Sequence, residues 1–107
     1  MESVKVNELT PVIKTLRRLG YKTTKPRHKN SNGVDIFAIK NNYVLSVEIK
    51  LAIKPKGKNT YRIRGVEHNR KNDDLIAILF PSGYVLLEPM EDHLSCCNSQ
   101  GDRFINY

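Results

Sequence analysis

The chain is 107 residues long and 39% apolar, which fits one domain spanning 1–107 with a modest core and leaves little room for a second. No apolar run approaches the roughly 20 residues of a membrane-spanning helix, and residues 1–10 lack the apolar core of a signal peptide, so the expectation is a soluble, cytoplasmic protein with no membrane partner. The net charge is +7, unevenly spread: residues 14–71 hold sixteen Lys or Arg against three acids, whereas residues 73–107 hold six acids and one Arg. A basic field this concentrated predicts a polyanionic partner, because Lys and Arg gain affinity by displacing counterions from phosphates.

Residues 7–19 read as a helix, with Val12, Ile13, Leu16 and Leu19 at helical spacing and Gly20 as its stop. Pro11 falls within that span, so the helix either starts near Thr10 or accommodates a bend. Residues 21–25 read as a short strand and the polar, turn-rich 27–33 as a loop. Runs 34–39 and 43–50 are strand-like and meet at Asn41-Asn42, a residue type that tolerates the left-handed backbone of a two-residue hairpin turn. Residues 55–59 form a Gly/Lys loop, and 65–73 are polar with room for a short helix. Runs 75–80 and 84–88 form a second strand pair around Pro81-Ser82-Gly83, before a short helix over 90–94. The order α-β-β-β-α-β-β describes a mixed α/β domain. Cys96 and Cys97 are adjacent, a poor geometry for a mutual disulfide, and no Cys-His set of zinc-site spacing accompanies them.

A hairpin register about Asn41-Asn42 sets Ile36 opposite Val47 and Asp35 opposite Glu48, with Cβ atoms about 4.5–5.5 Å apart. Lys50, two residues beyond Glu48, projects from the same face. The opposite face reads Val34, Ile36, Ala38 against Leu45, Val47, Ile49 and is wholly apolar, so a one-residue slip would bury Glu48 and Lys50. Two facing carboxylates repel each other and gain nothing structurally. They make sense around a divalent cation: Mg²⁺, with Mn²⁺ as a substitute, takes hard oxygen ligands and keeps positions for water and substrate phosphate. The carbonyl of Ile49 is a further oxygen ligand in reach. Lys50 is placed to orient or deprotonate a hydrolytic water, or to offset charge on the phosphorane. Asp35, Glu48 and Lys50 are therefore the expected catalytic set of a phosphodiester hydrolase.

Expected phosphate contacts flank this set in two loops. One holds Lys25, Arg27, His28 and Lys29. The other holds Lys54, Lys56, Lys58, Arg62 and Arg64, with Arg70 and Lys71 beyond it. Tyr61 interleaves with the second group and has two readings, stacking on a base or packing on the sheet.

The pattern Gly33-Val34-Asp35, hairpin, Glu48-Ile49-Lys50 resembles the signature of the PD-(D/E)xK nuclease superfamily, with Val34 where Pro is usual. The helix carrying Glu8, the Leu19-Gly20-Tyr21 strand entry and the later pair ending Leu87-Glu88-Pro89 resemble the layout of archaeal and viral Holliday-junction resolvases over most of residues 8–94. The resemblance implies a restriction-endonuclease-like fold, a mixed central sheet with flanking helices, and a Mg²⁺-dependent endonuclease acting on branched DNA. It implies that Glu8 completes the metal shell, that Ser31 and His68 are accessory active-site groups, and that the chain forms a homodimer or higher homo-oligomer. The stretch available for a second helix, 64–74, is short for a resolvase dimer. The rival readings are a site-specific endonuclease of the homing or mobile-element type and a non-catalytic nucleic-acid-binding protein retaining the fold. An intact D…E-x-K set argues against the latter.

Overall fold

The computed structural model describes residues 6–25, 34–65 and 73–106. Its elements are α1 (Val6–Arg18), β1 (Lys22–Thr24), β2 (Ile36–Lys40), β3 (Tyr43–Leu51), β4 (Thr60–Ile63), β5 (Leu75–Leu79), β6 (Val85–Pro89), α2 (Met90–Ser95) and β7 (Arg103–Asn106).

Helix α1 buries Leu9, Val12 and Leu16, three and four residues apart, and exposes Lys14, Arg17 and Arg18. It begins before Thr10, so Pro11 lies inside it and one intrahelical bond is forgone. The end is a Schellman cap. Gly20 takes φ +94° and donates to Arg17 O at 3.0 Å, while Tyr21 donates to Leu16 O at 3.0 Å.

Five strands form the central sheet in the order β1-β2-β3-β5-β6, antiparallel except for the parallel β3–β5 pair. The β2–β3 hairpin turns at Asn41 and Asn42, with φ of 51° and 70°. Its register pairs Lys40 with Tyr43 and Ile36 with Val47, as the sequence predicts. Positive φ at both turn residues matches the right-handed twist of the flanking strands.

Both faces of the sheet are covered. On one, Leu9, Val12 and Leu16 of α1 pack on Ile36, Ala38, Val47, Ile49, Ala77 and Leu79. On the other, Ile76, Ile78 and Phe80 pack with Met90 of α2 and Ile63 of β4. This second layer rests on a separate two-stranded sheet, β4–β7, whose Tyr61 and Ile105 also pack into the cluster. Tyr61 meets Phe80 edge-on, with ring centroids 5.2 Å apart, which is the packing alternative of its two readings.

Strands β4 and β7 have no counterpart in the expected order α-β-β-β-α-β-β. They are four residues each and about forty residues apart in the chain, so neither carries enough period-two pattern to be read locally. The short helix expected over 65–73 falls, from 66 to 72, outside the described residues.

Candidate active site

Strand β3 sets the centre of the site. Its residues 47 and 49 point into the α1 layer. Alternation then sends Glu48 and Lys50 to the other face, where they pair in register with Ile76 and Ile78 of β5. Glu48 is completely buried (0% exposed) because the second layer closes over this face. Burying an ionised carboxylate costs several kcal/mol unless charge and hydrogen bonds offset it, roughly as for any ion taken out of water. Lys50 supplies part of that offset: its Nζ lies 3.7 Å from Glu48 Oε1. That is ion-pair range but beyond a good hydrogen bond. The Lys50 side chain keeps 21% of its surface exposed, so the pair has a buried acid end and an accessible amine end.

Asp35 leaves the ladder at the N-terminal end of β2. The last register pair is Ile36–Val47, and the Asp35 amide also donates to Val47 O, at 3.2 Å. Two residues of one strand thus face a single residue of the other, the arrangement of a β-bulge. The expected direct opposition of Asp35 and Glu48 is replaced by this offset. The Asp35 carboxylate then accepts a 2.8 Å hydrogen bond from the Ile49 amide through Oδ2. Asp35 is therefore tied to the backbone on both sides of Glu48. The N–H and C=O of one strand residue point to the same side, so the Ile49 carbonyl also faces the margin where β2 ends.

The chemistry of this donor set decides whether a cation fits. Asp35, Glu48 and the Ile49 carbonyl offer only hard oxygen, two of them carboxylates. That suits Mg²⁺, which completes its shell with water and phosphate, and does not suit a structural zinc cage. Among the described residues no group of three or more His, Cys, Asp or Glu side chains is gathered to hold a metal, so Glu8 does not join Asp35 and Glu48 in such a group. The physical reason is the layering: Glu8 lies in the first turn of α1, whose Leu9 and Val12 pack on the face opposite Glu48.

The expected phosphate contacts divide into three sets. Lys25, Lys54, Lys56, Lys58 and Arg64 are exposed. Arg62 is already engaged. Its Nη2 and Nε donate to Asp102 Oδ2 at 2.6 and 3.2 Å, and Gly65 N donates to Asp102 Oδ1 at 2.8 Å. The Arg62 hydrogen bonds hold the Asp102 carboxyl below the usual carboxylate range. Arg27, His28, Lys29, Arg70 and Lys71, with Ser31 and His68, lie outside the described residues.

A half-buried network around the buried His93 was missed from sequence. Glu88 pairs in register with Ile76 and so shares the face of Glu48, two strands away. Arg103 of β7 grips it with both arms, at 2.5 and 3.2 Å. This fork raises the Arg103 pKa and commits the second carboxylate of that row to a cation of the chain itself. Arg103 Nη1 also lies 3.2 Å from His93 Nδ1, and Cys97 Sγ lies 3.6 Å from His93 Nε2. Arginine only donates, so Nδ1 accepts and the proton sits on Nε2. Burial first, then the Arg103 charge, lower the His93 pKa; Lys50 contributes in the same direction. The one available signal was Arg103 itself, the single basic residue among the six acids of 73–107.

No family model and no curated protein matches the chain. Among solved structures it is similar to a bacterial homing endonuclease, I-Ssp6803I. The chain has a restriction-endonuclease-like fold. The match has a TM-score of 0.78 and covers 94% of this chain and 71% of the other, at 13% sequence identity. The likeness is therefore one of backbone architecture: a mixed central sheet flanked by helices. Among the described residues no helix is long and apolar enough to cross a membrane.

Proposed function

We propose that the protein is a Mg²⁺-dependent endonuclease that hydrolyses phosphodiester bonds of DNA, a member of the PD-(D/E)xK type. One observation carries this reading: Asp35 is bonded to the backbone on both sides of Glu48, and Lys50 Nζ stands 3.7 Å from that same carboxylate. Acid, acid and amine come from one hairpin whose turn, strand face and bulge all serve to hold them. The fold shared with a homing endonuclease supports it, as does the excess of Lys and Arg in the sequence of residues 14–71.

The roles follow from position. Asp35 and Glu48 hold the cation, with the Ile49 carbonyl as a further oxygen ligand. When bound, the cation polarises the scissile phosphate and makes a water more acidic. Lys50, at the accessible end of the pair, orients the attacking water through Nζ and offsets negative charge as the water oxygen bonds to phosphorus and the ester bond breaks. The exposed Lys25, Lys54, Lys56, Lys58 and Arg64 hold the DNA backbone by its phosphates.

Site-specific cutting of duplex DNA, the homing-type reading, is favoured by the fold likeness. Cutting of branched DNA is the second reading, from the resolvase-like order of helix, hairpin and later strand pair. Supercoiled plasmid, linear duplex and a synthetic four-way junction, each with Mg²⁺ or EDTA, separate these readings. Mg²⁺-dependent cleavage that Lys50→Ala removes is the expected result. Preference for the junction selects the branched-DNA reading. Binding that survives EDTA with no cleavage in Mg²⁺ would return the protein to the class of non-catalytic DNA binders.

A further inference from the structure

The β4–β7 sheet has an inner and an outer face. Tyr61, Ile63 and Ile105 point into the second core. Alternation turns Thr60, Arg62, Phe104 and Asn106 outward. One outward row crosses three segments, because Ile53 bridges to Arg62 and Arg62 is in register with Phe104. Ile53 is 51% exposed and Phe104 55%, and the arginine side chain between them keeps 43% of its surface. A single exposed apolar residue needs no explanation, but two set on either side of an arginine in one row form a patch.

We propose that this outer face is a DNA-contact surface distinct from the cutting site, laid against base edges in the major groove of duplex DNA. It rests on the reading of DNA as the substrate. The major groove, about 12 Å wide, admits a two-stranded ribbon, and neighbouring strands lie roughly 4.7–4.9 Å apart. Arginine and asparagine are the side chains that pair bidentately with guanine and adenine, and apolar groups contact the thymine methyl. Both polar groups are held in place here. Asp102 grips the Nε/Nη2 edge of Arg62, and Thr60 Oγ1 donates to Asn106 Oδ1 at 3.2 Å. Side chains already restrained lose less entropy on binding.

Charge selects the occupant. The connection that frames this row carries exposed Lys54, Lys56 and Lys58, and Arg64 follows β4. Across 51–65 and 102–106, all described residues, the one acid is Asp102, and Arg62 and Gly65 bind it. A second copy of the chain would bring two surfaces of like sign together, which costs affinity. A duplex brings phosphates.

The test is binding of a labelled random-sequence DNA duplex in EDTA, where no cutting occurs, across a range of salt concentrations. Phe104→Ala is expected to weaken binding by about 5-fold or more. The slope of affinity against salt should stay unchanged, because no phosphate contact is lost. Tyr43→Ala, at the exposed hairpin turn, should bind as wild type. Sedimentation of the DNA-free proteins and their thermal midpoints accompany the titration. If the wild type binds the duplex and Phe104→Ala binds equally well, the inference is overturned while the DNA reading stands. If Phe104→Ala dissociates a DNA-free oligomer, the face is an interface between copies and the inference is again overturned. If the wild type binds no duplex, the DNA reading itself fails and the inference with it.

Discussion

The Asp35 carboxylate accepts a hydrogen bond from the Ile49 backbone amide, 2.8 Å away. A backbone donor in the middle of a sheet cannot swing aside, so this bond fixes where Asp35 sits relative to the residues on either side of Ile49. Those residues are Glu48 and Lys50. The offset at Val47 and the bond to Ile49 together convert a two-strand register into a three-residue site. The cost is a buried acid at Glu48, whose cation neighbour Lys50 is not in hydrogen-bond range. Such a cost is expected where residues serve binding or chemistry in preference to stability.

Removing the site residues should separate activity from folding. Lys50→Ala is expected to lower the Mg²⁺-dependent cleavage rate by about 10²–10⁴-fold. Glu48→Gln keeps the side chain's shape but removes its charge, so cleavage should disappear while the thermal midpoint stays level or rises. Rates on plasmid DNA and melting curves on the same preparations check both. A Glu48→Gln protein that cuts normally would exclude this carboxylate from the reaction.

Cation binding should be visible without any substrate. The proposed cation site of Asp35 and Glu48 exists only in the folded chain, so Mg²⁺ is expected to raise the thermal midpoint of the wild type by mass action. The rise should be lost in Asp35→Asn. Melting curves at increasing Mg²⁺, with a monovalent salt control, measure it. An equal rise in both proteins would mean that the ion acts elsewhere.

The hairpin turn sets the register of β2 against β3, so it carries a stability signature. Asn42 sits at φ 70°. Asn42→Ala should cost about 1 kcal/mol, since L-residues with a Cβ resist the left-handed region. For a domain of this size that corresponds to a loss of roughly 4–8 °C in thermal midpoint. Asn42→Gly should equal or exceed the wild type. Chemical denaturation of the three proteins, with the slope held common, gives the values.

Stability should also fall in mild acid. His93 is buried with its Nδ1 facing Arg103 Nη1, and burial followed by that charge lower its pKa from the ordinary 6.5. The unfolded chain therefore takes up this proton at higher pH than the folded one. The stabilisation is complete above about pH 6.5 and is lost as pH falls through the lowered folded value. Asp102, whose pKa the Arg62 hydrogen bonds lower, adds a second loss beneath the ordinary carboxylate range. Thermal midpoints from pH 7.5 downward should show the first loss in wild type and a flatter profile in His93→Gln. Identical profiles would place the titrating group elsewhere.

Local pattern alone determined the Val12, Ile13 and Leu16 part of the α1 stripe with its Gly20 stop, the turn at Asn41-Asn42, the pairing of Ile36 with Val47, and the shared face of Glu48 and Lys50; Leu19, expected in that stripe, lies past the helix end and is exposed. Each depends on residues within a few positions of one another, where helical or two-residue periodicity and turn chemistry act directly. Only the tertiary structure decided that Glu48 is fully covered, that Arg62 is shared with Asp102, and that Glu88 is bound by Arg103. It also decided the β4–β7 pairing and the offset that moves Asp35 out of the ladder. Those features join segments far apart in the chain, and a four-residue strand or a lone arginine carries no local mark of the partner that folding will bring to it.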